Sequence, residues 1–111
     1  MGRRKKFEPI ELLVEEPTEV FQSHRQQISK AIVEGIDYGI KYKKKRVDFA
    51  RVIVNNVLVI TLSIDSREFI DLLDEQLQTL IDFEEYETCA LLIKLKEKLN
   101  EKVIKKARMV V

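Results

Sequence analysis

Few side chains in this sequence could act as a nucleophile or a general base. His24 is the only histidine and Cys89 the only cysteine among the 111 residues. Any Cys–His or Ser–His catalytic set would depend on His24, and no nucleophile paired with it is visible. A single cysteine also excludes an intrachain disulfide and a zinc site built from cysteines. We expect His24 to lie at the edge of a helix's apolar face rather than to act as a base or pH switch. We expect Cys89 to be a small buried side chain rather than a redox or modification site.

Four carboxylates, Asp82, Glu84, Glu85 and Glu87, lie close together and could suggest a metal site or a catalytic carboxylate pair. A Mg²⁺ or Ca²⁺ site would need a patterned loop with a glycine at its sharp turn, and that pattern is absent. Acidic residues at the start of a helix are adequately explained by the helix dipole. The 3 glycines leave no room for a phosphate-binding loop. We therefore expect no metal, no cofactor and no enzymatic activity.

The segment Lys41–Arg46 contains five cations, and Tyr38 precedes it by one turn. Cations interleaved with aromatic rings suit phosphate contacts with base stacking, although most charge runs are solvated loops. The basic arm near the start of the chain could act with this segment on a phosphate backbone. Nucleic acid is thus an alternative partner, and its candidate contacts are Arg3, Arg4, Lys5, Lys6, Tyr42, Lys43, Lys44, Lys45 and Arg46.

The net charge of +1 conceals a strong separation of charge along the chain. Residues 1–51 carry 12 Lys/Arg against 8 Asp/Glu, residues 52–93 carry one Arg against 9 acids, and residues 94–111 carry 7 cations against 2 acids. Such asymmetry is typical of a polyanion-binding surface or of an interface complementary to a partner or to a second copy. The overall composition, 45% hydrophobic and 35% charged, fits one small globular domain.

The basic start of the chain resembles the first part of a signal peptide, but Glu8, Pro9 and Glu11 interrupt any apolar stretch after it. The most apolar window, Val52–Leu62, is too short to span a bilayer as a helix. We expect a cytoplasmic protein without a membrane partner.

The apolar pattern predicts one compact α+β domain in three parts. Residues 1–17 form the basic arm and a short edge strand over Ile10–Val14, where apolar residues alternate loosely. Residues 18–64 form a helix and a β-hairpin, and residues 65–111 form a long antiparallel helical hairpin. The sheet has two strands, or three if the edge strand joins it.

The first helix is predicted from about Glu19 to Gly39, with Thr18 as its N-cap. Gly35 and Gly39 lie four residues apart, so they share a face and permit close backbone approach, or they loosen the last turns, since glycine costs about 1 kcal/mol inside a helix. The second alternative, a helix that frays through this stretch, is the one we favour from the sequence.

Two segments rich in β-branched residues, Val47–Val54 and Val57–Ile64, flank Asn55-Asn56. Asparagine tolerates the positive φ of a two-residue hairpin turn, so the two segments are predicted to pair. In the second strand the predicted core face comprises Leu58, Ile60, Leu62 and Ile64.

The helical hairpin is predicted to begin with Asp65 or Ser66 as a cap. Its apolar stripes join across a short connection, Asp82–Glu85, and its last helix runs from about Glu84 to Lys106. Pairing with a second copy would bury both stripes in a four-helix arrangement, so a homodimer is compatible with this pattern.

Within this hairpin the residues resemble a known motif. The segments Leu72–Gln78 and Asp82–Leu92 are similar to the UVR motif of UvrB and UvrC excision-repair proteins and of some Clp chaperone and adaptor proteins. The similarity extends over residues 66–104. Tyr86 occupies the family's aromatic position, and Glu87 the acidic position that follows it. Cys89 and Ala90 occupy the small pair at which the second helix packs on the first, and Ile93-Lys94 replace the family's Arg-Asp pair.

The resemblance implies a short helical hairpin that binds another protein, often another hairpin of the same kind. We therefore expect a non-enzymatic adaptor or regulatory protein that binds a larger protein partner. The residues expected to make that contact are Phe83, Glu84, Glu85, Tyr86 and Glu87.

Overall fold

A computed structural model describes the backbone of residues 7–109 and the side chains of residues 7–101. It contains three strands, four α-helices and one short 3₁₀ turn. In chain order these are β1 (Ile10–Val14), α1 (Glu19–Ser23), α2 (Arg25–Lys41), β2 (Arg46–Val54), β3 (Leu58–Asp65), the 3₁₀ turn (Ser66–Glu68), α3 (Phe69–Asp82) and α4 (Tyr86–Met109). The α+β fold class, with a helical pair after the strands, is confirmed.

The sheet has the order β1-β2-β3. β1 pairs in parallel with β2, with Leu12 opposite Val52, and the helical segment α1–α2 makes the crossover that a parallel pair requires. β2 and β3 pair antiparallel across the turn at Asn55 and Asn56, whose φ values are 51° and 60°. Positive φ at both central residues is what a type I′ hairpin turn needs. The edge strand and the Asn-Asn turn are thus both confirmed.

Helix α2 contacts both the sheet and the helical hairpin. It packs on β2, α3 and α4. Its buried surface is therefore broad, and it includes Val33 and Ile36, which are fully buried. The contact with α3 and α4 buries part of the hairpin's apolar stripes within one chain, with Leu73 and Leu92 fully buried.

The glycines of α2 allow this close packing. The helix continues through Gly35 and Gly39 to Lys41, so the predicted fraying is wrong. A Cβ at Gly39 would lie 2.8 Å from Phe69 Cζ and 2.9 Å from Val47 Cγ2, closer than real Cβ atoms approach. A Cβ at Gly35 would lie 3.3 Å from the nearest side-chain atom, a tight contact that a small shift relieves. A Cβ atom does not fit at Gly39 because Val47 of the sheet and Phe69 of α3 both pack against this face of α2.

The single helix predicted before the β-hairpin is divided at His24. This residue has φ −119° and ψ 24°, which is not helical, and its carbonyl accepts the first hydrogen bond of α2 from the Ile28 N–H at 3.0 Å. His24 is half-buried at this bend, and its Nδ1 is buried without a hydrogen-bond partner. Thr18 does precede α1, but its side chain makes no capping hydrogen bond.

The predicted core face of β3 is only partly buried. Ile64 is 1% exposed and packs in the core, whereas Ile60 and Leu62 are half-buried and Leu58 is 55% exposed. β3 lies at the edge of the sheet, whereas α2 packs on β2. The buried fraction of the β3 side chains therefore decreases toward the β-hairpin turn. Among the described residues, no helix is long and apolar enough to cross a membrane.

The 3₁₀ turn that leads into α3 begins at a reciprocal cap at Asp65, one of the two caps predicted. Asp65 Oδ1 accepts from the Arg67 backbone N–H at 2.9 Å, and the Asp65 N–H donates to Glu68 Oε2 at 3.4 Å. The Arg67 guanidinium also donates to Asp65 Oδ1, at 3.0 Å. This hydrogen bond lowers the pKa of the Asp65 carboxyl below its ordinary value.

We expect Gly39→Ala to destabilise the protein by up to about 2 kcal/mol. Overpacking a core costs about 1–3 kcal/mol, and the better helix propensity of alanine returns up to about 1 kcal/mol. Gly35→Ala is the matched control, since the same change there meets only a 3.3 Å contact. Urea denaturation of both variants tests this expectation, and equal midpoints would show that the approach at Gly39 is not limiting.

Asp65 should make stability depend on pH in acid. A carboxyl whose pKa is lowered on folding stabilises the protein fully above its unfolded pKa and loses that contribution as the pH falls through its folded pKa. We therefore expect the melting temperatures of the native chain and Asp65→Asn to differ at neutral pH and to converge below pH 3.8, the ordinary value. A constant difference from neutral pH to acid would contradict the assigned hydrogen bond.

Candidate protein-binding surface at the helical hairpin tip

The connection between α3 and α4 is built by the end of α3. The Glu85 N–H donates to the Leu80 carbonyl and the Glu84 N–H to the Ile81 carbonyl, both at 2.9 Å. This pair of hydrogen bonds is the Schellman motif, which closes a helix with a left-handed residue at the position after the cap. The tip is therefore a fixed turn. Helix α4 begins after it at Tyr86, two residues later than the predicted start at about Glu84.

Glu84 occupies the left-handed position of this turn, with φ 58°. Glycine is the usual residue there because the left-handed region costs other residues roughly 1–2 kcal/mol. The side chain of Glu84 is exposed and has no structural contact that offsets this cost. Strained residues concentrate at functional sites, so Glu84 is a candidate contact residue.

Glu85 differs from the other residues predicted to bind a partner. Its carboxylate accepts from Gln26 Nε2 at 2.7 Å and lies 3.6 Å from Lys30 Nζ, so two residues of α2 bind it. Its carbonyl accepts from the Cys89 N–H at 2.9 Å at the start of α4. Glu85 therefore fixes the tip against α2, and its side chain is largely occupied within the protein.

Phe83 and Tyr86 are exposed by 44% and 63%, which agrees with a binding role at the tip. Ile81 of α3 and Ile93 of α4 are exposed by 42% and 50%. We call these four side chains the tip surface. Contiguous exposed apolar patches mark interaction sites, and a second group of exposed apolar side chains lies at the β-hairpin turn.

The register between α3 and α4 places Ile81 beside the exposed residues of α4. Asp74 and Lys96 form an ion pair across the two antiparallel helices. Seven residues from this pair toward the tip, about 10 Å along each helix, lie Ile81 on α3 and Cys89 on α4. These two residues are therefore at the same level along the hairpin. Cys89 lies midway between Tyr86 and Ile93, which are seven residues apart and so share one face of α4. Along the hairpin axis, Ile81 therefore lies at a level between those of Tyr86 and Ile93.

The surroundings of the tip surface are acidic. Asp82, Glu84 and Glu87 are exposed around it, and no lysine or arginine occurs between Arg67 and Lys94. An apolar patch with an acidic rim complements a partner surface that has an apolar recess and basic residues around it.

The residues of the basic segment Lys41–Arg46 differ in whether their side chains make contacts within the protein. Tyr42 packs on Tyr38 with ring centroids 4.8 Å apart, and Arg46 donates to Ser63 Oγ at 3.0 Å and lies near Asp48. Lys41 pairs with Asp37. Lys43, Lys44 and Lys45 are exposed and carry the remaining charge of this segment. Of the candidate nucleic-acid contacts, Arg3, Arg4, Lys5 and Lys6 lie outside the described residues.

The other chemistry-bearing residues do not form a reactive cluster in the described structure. Cys89 is buried, as predicted, whereas Ala90, the second member of its small pair, is exposed. The UVR resemblance implies close packing at both positions. In the structure only Cys89 packs into the core. Among the described residues, no three His, Cys, Asp or Glu side chains are placed to hold a metal ion.

No protein-family model, curated protein or solved structure matches this chain.

We expect Glu84→Gly to raise the free energy of unfolding by about 1 kcal/mol, because glycine adopts the left-handed conformation without strain. Glu84→Ala is the control, since it removes the same carboxylate but keeps the strained Cβ. Chemical denaturation should therefore show a gain for glycine alone. An equal gain for both variants would instead assign the cost to charge repulsion among the acids of the tip.

Proposed function

We propose that this protein is a non-enzymatic adaptor that binds a larger protein through the tip surface. The observation that supports this proposal is the joint exposure of Ile81, Phe83, Tyr86 and Ile93 on the turn and on the two helices that flank it. Glu85 fixes this turn to α2. Aromatic side chains presented on a rigid support make efficient binding contacts, because little side-chain entropy is lost when they are buried. The resemblance to the UVR motif points in the same direction.

The chemistry of the tip defines the partner. Phe83 and Tyr86 would fill an apolar recess, and tyrosine is among the residues that most often dominate binding energy. The carboxylates of Glu84 and Glu87 would face lysine or arginine residues around that recess and would accelerate association at low ionic strength. The proposed partner is therefore a protein with a basic-rimmed apolar pocket.

Phe83→Ala and Tyr86→Ala should each weaken binding of the captured partner by roughly 5- to 30-fold, the effect of removing about 1–2 kcal/mol at a binding hot spot. The chain is immobilised, the retained protein is identified, and its affinity is then measured for each variant. Val57→Ala is the matched control, because Val57 is 85% exposed but lies on the β-hairpin turn. Equal weakening by Val57→Ala would overturn the proposal.

The same experiment distinguishes a protein partner from nucleic acid, which is the alternative partner. Retention that is lost after nuclease treatment, and after Lys43, Lys44 and Lys45 are changed to Glu, would assign the interaction to nucleic acid. Retention that survives both treatments and is lost in Tyr86→Ala supports the tip surface.

A further inference from the structure

The turn after α2 lies at the end of the molecule opposite the tip surface. The first turns of α2 contact Glu85 at the tip, whereas Gly39, near the other end of α2, packs against Phe69, the first residue of α3. The turn Lys43–Lys45 follows directly, and its last carbonyl accepts a hydrogen bond from the Ser66 N–H at 2.8 Å. These three lysines therefore lie where α3 begins, at the end of the hairpin away from the tip surface.

The last helix reaches the same end of the molecule. The Asp74–Lys96 pair sets the register of the two antiparallel helices, so Phe69 is level with Glu101, about 7.5 Å along each helix from that pair. The backbone of α4 continues to Met109, about 12 Å farther. The sequence of residues 102–109 contains four cations and no acid. Two segments that are distant in the chain thus bring positive charge to one end of the fold.

The lysines of this end are not neutralised within the described part of the protein. Lys43–Lys45 and Lys98 are exposed, and no ion pair among the described residues includes them. The acids closest to them in the fold already pair with the neighbouring cations Lys41, Arg46 and Arg67, at 3.0–3.8 Å. Besides these pairs, the sequence places eight cations at this end against four acids, which are Glu68, Asp71, Glu97 and Glu101. The excess of positive charge attracts an anionic polymer.

The surroundings of these lysines indicate which kind of polyanion fits. In the described structure the large apolar side chains that are exposed lie on α1, near the β-hairpin turn and on the tip surface, and none lies at this end. Membrane-surface binding and protein interfaces both use apolar side chains at the contact. Proteins that bind single strands stack bases on aromatic rings. The Tyr42 ring is half-buried and packs on Tyr38, with centroids 4.8 Å apart. A duplex backbone needs cations alone.

We propose that the turn Lys43–Lys45 and the basic part of α4 from Lys98 onward together bind the phosphate backbone of double-stranded nucleic acid. We call this surface the basic end. Phosphate contacts carry no sequence information, so the binding is independent of sequence. The basic end and the tip surface lie at opposite ends of the hairpin, so one chain can hold a duplex and a protein partner at once. Duplex binding here does not depend on a partner at the tip.

The probe is a fluorescently labelled DNA duplex of mixed sequence and about 20 base pairs, two helical turns. It is titrated with the full chain at several salt concentrations. The logarithm of the affinity falls with the logarithm of the salt concentration by about 0.9 for each phosphate that is neutralised. The four described lysines of the basic end therefore predict a slope of about −3.6 or steeper. A second duplex of unrelated sequence should bind with the same affinity.

Lys44→Gln and Lys98→Gln test the two segments separately. Each should weaken binding roughly 10-fold at about 50 mM salt and make the slope shallower by about 0.9, the effect of one lost phosphate contact. Arg51→Gln is the matched control, because Arg51 is an exposed cation on the sheet that pairs with Glu11. It should leave affinity and slope unchanged. Tyr86→Ala should also leave them unchanged, so this result and the result for the tip surface are obtained separately.

Absence of duplex binding by the folded chain at about 50 mM salt would overturn the proposal. An equal loss in Lys44→Gln and Arg51→Gln would show a general charge effect rather than a site. An unchanged slope in Lys98→Gln would exclude α4 and leave only the turn. Single-stranded DNA, phosphatidylserine vesicles and polyglutamate are the competing anions, and tighter binding of any of them than of the duplex would assign the basic end to that class instead.

Discussion

The contact of one face of α2 with both the sheet and α3 is the constraint on which the rest of the structure depends. At Gly39 the helix backbone is near both Val47 and Phe69, so there is no space for a Cβ atom. Helix α2 thereby connects the small mixed sheet with the helical hairpin. It also determines what stays exposed, because α2 is long enough to cover β2 and the hairpin stripes but leaves the edge of β3 and the hairpin tip uncovered.

The elements that depend on local residue patterns could be predicted from the sequence. The β-branched segments around Asn55-Asn56 and the cap at Asp65 are encoded by neighbouring residues, and both were found. The break at His24 was missed because neither proline nor glycine marks it. The predicted fraying was wrong because the reason for Gly39 is its tertiary contact with Val47 of β2 and Phe69 of α3. Alternation in β3 gives the orientation of its side chains, but it does not show how far α2 extends over them.

The candidate site shows the same limit. Residues Phe83–Glu87 were identified from the acidic turn and its resemblance to the UVR motif, and the structure does expose Phe83 and Tyr86. The distinct position of Glu85 depends on Gln26, 59 residues earlier in the chain, so no local pattern could reveal it. The exposure of Ile93 follows from the register between α3 and α4, which the Asp74–Lys96 pair helps to set. Periodicity alone therefore finds the hairpin, whereas the apolar part of its tip requires the tertiary arrangement.

Two helix ends in this structure use a charged residue where glycine would be less costly. Glu84 ends α3, and Lys43 ends α2 with φ 53°, where the Lys44 N–H donates to the Gly39 carbonyl at 2.9 Å. Each carries the sign of its own surroundings, acidic at the hairpin tip and basic in the Lys43–Lys45 turn. A chain with a net charge of +1 thus presents separate surfaces of opposite sign. Because a Debye length is about 8 Å at physiological salt, a partner near one surface responds mainly to that surface. Local charge, rather than the net charge, therefore governs what each part of this protein can bind.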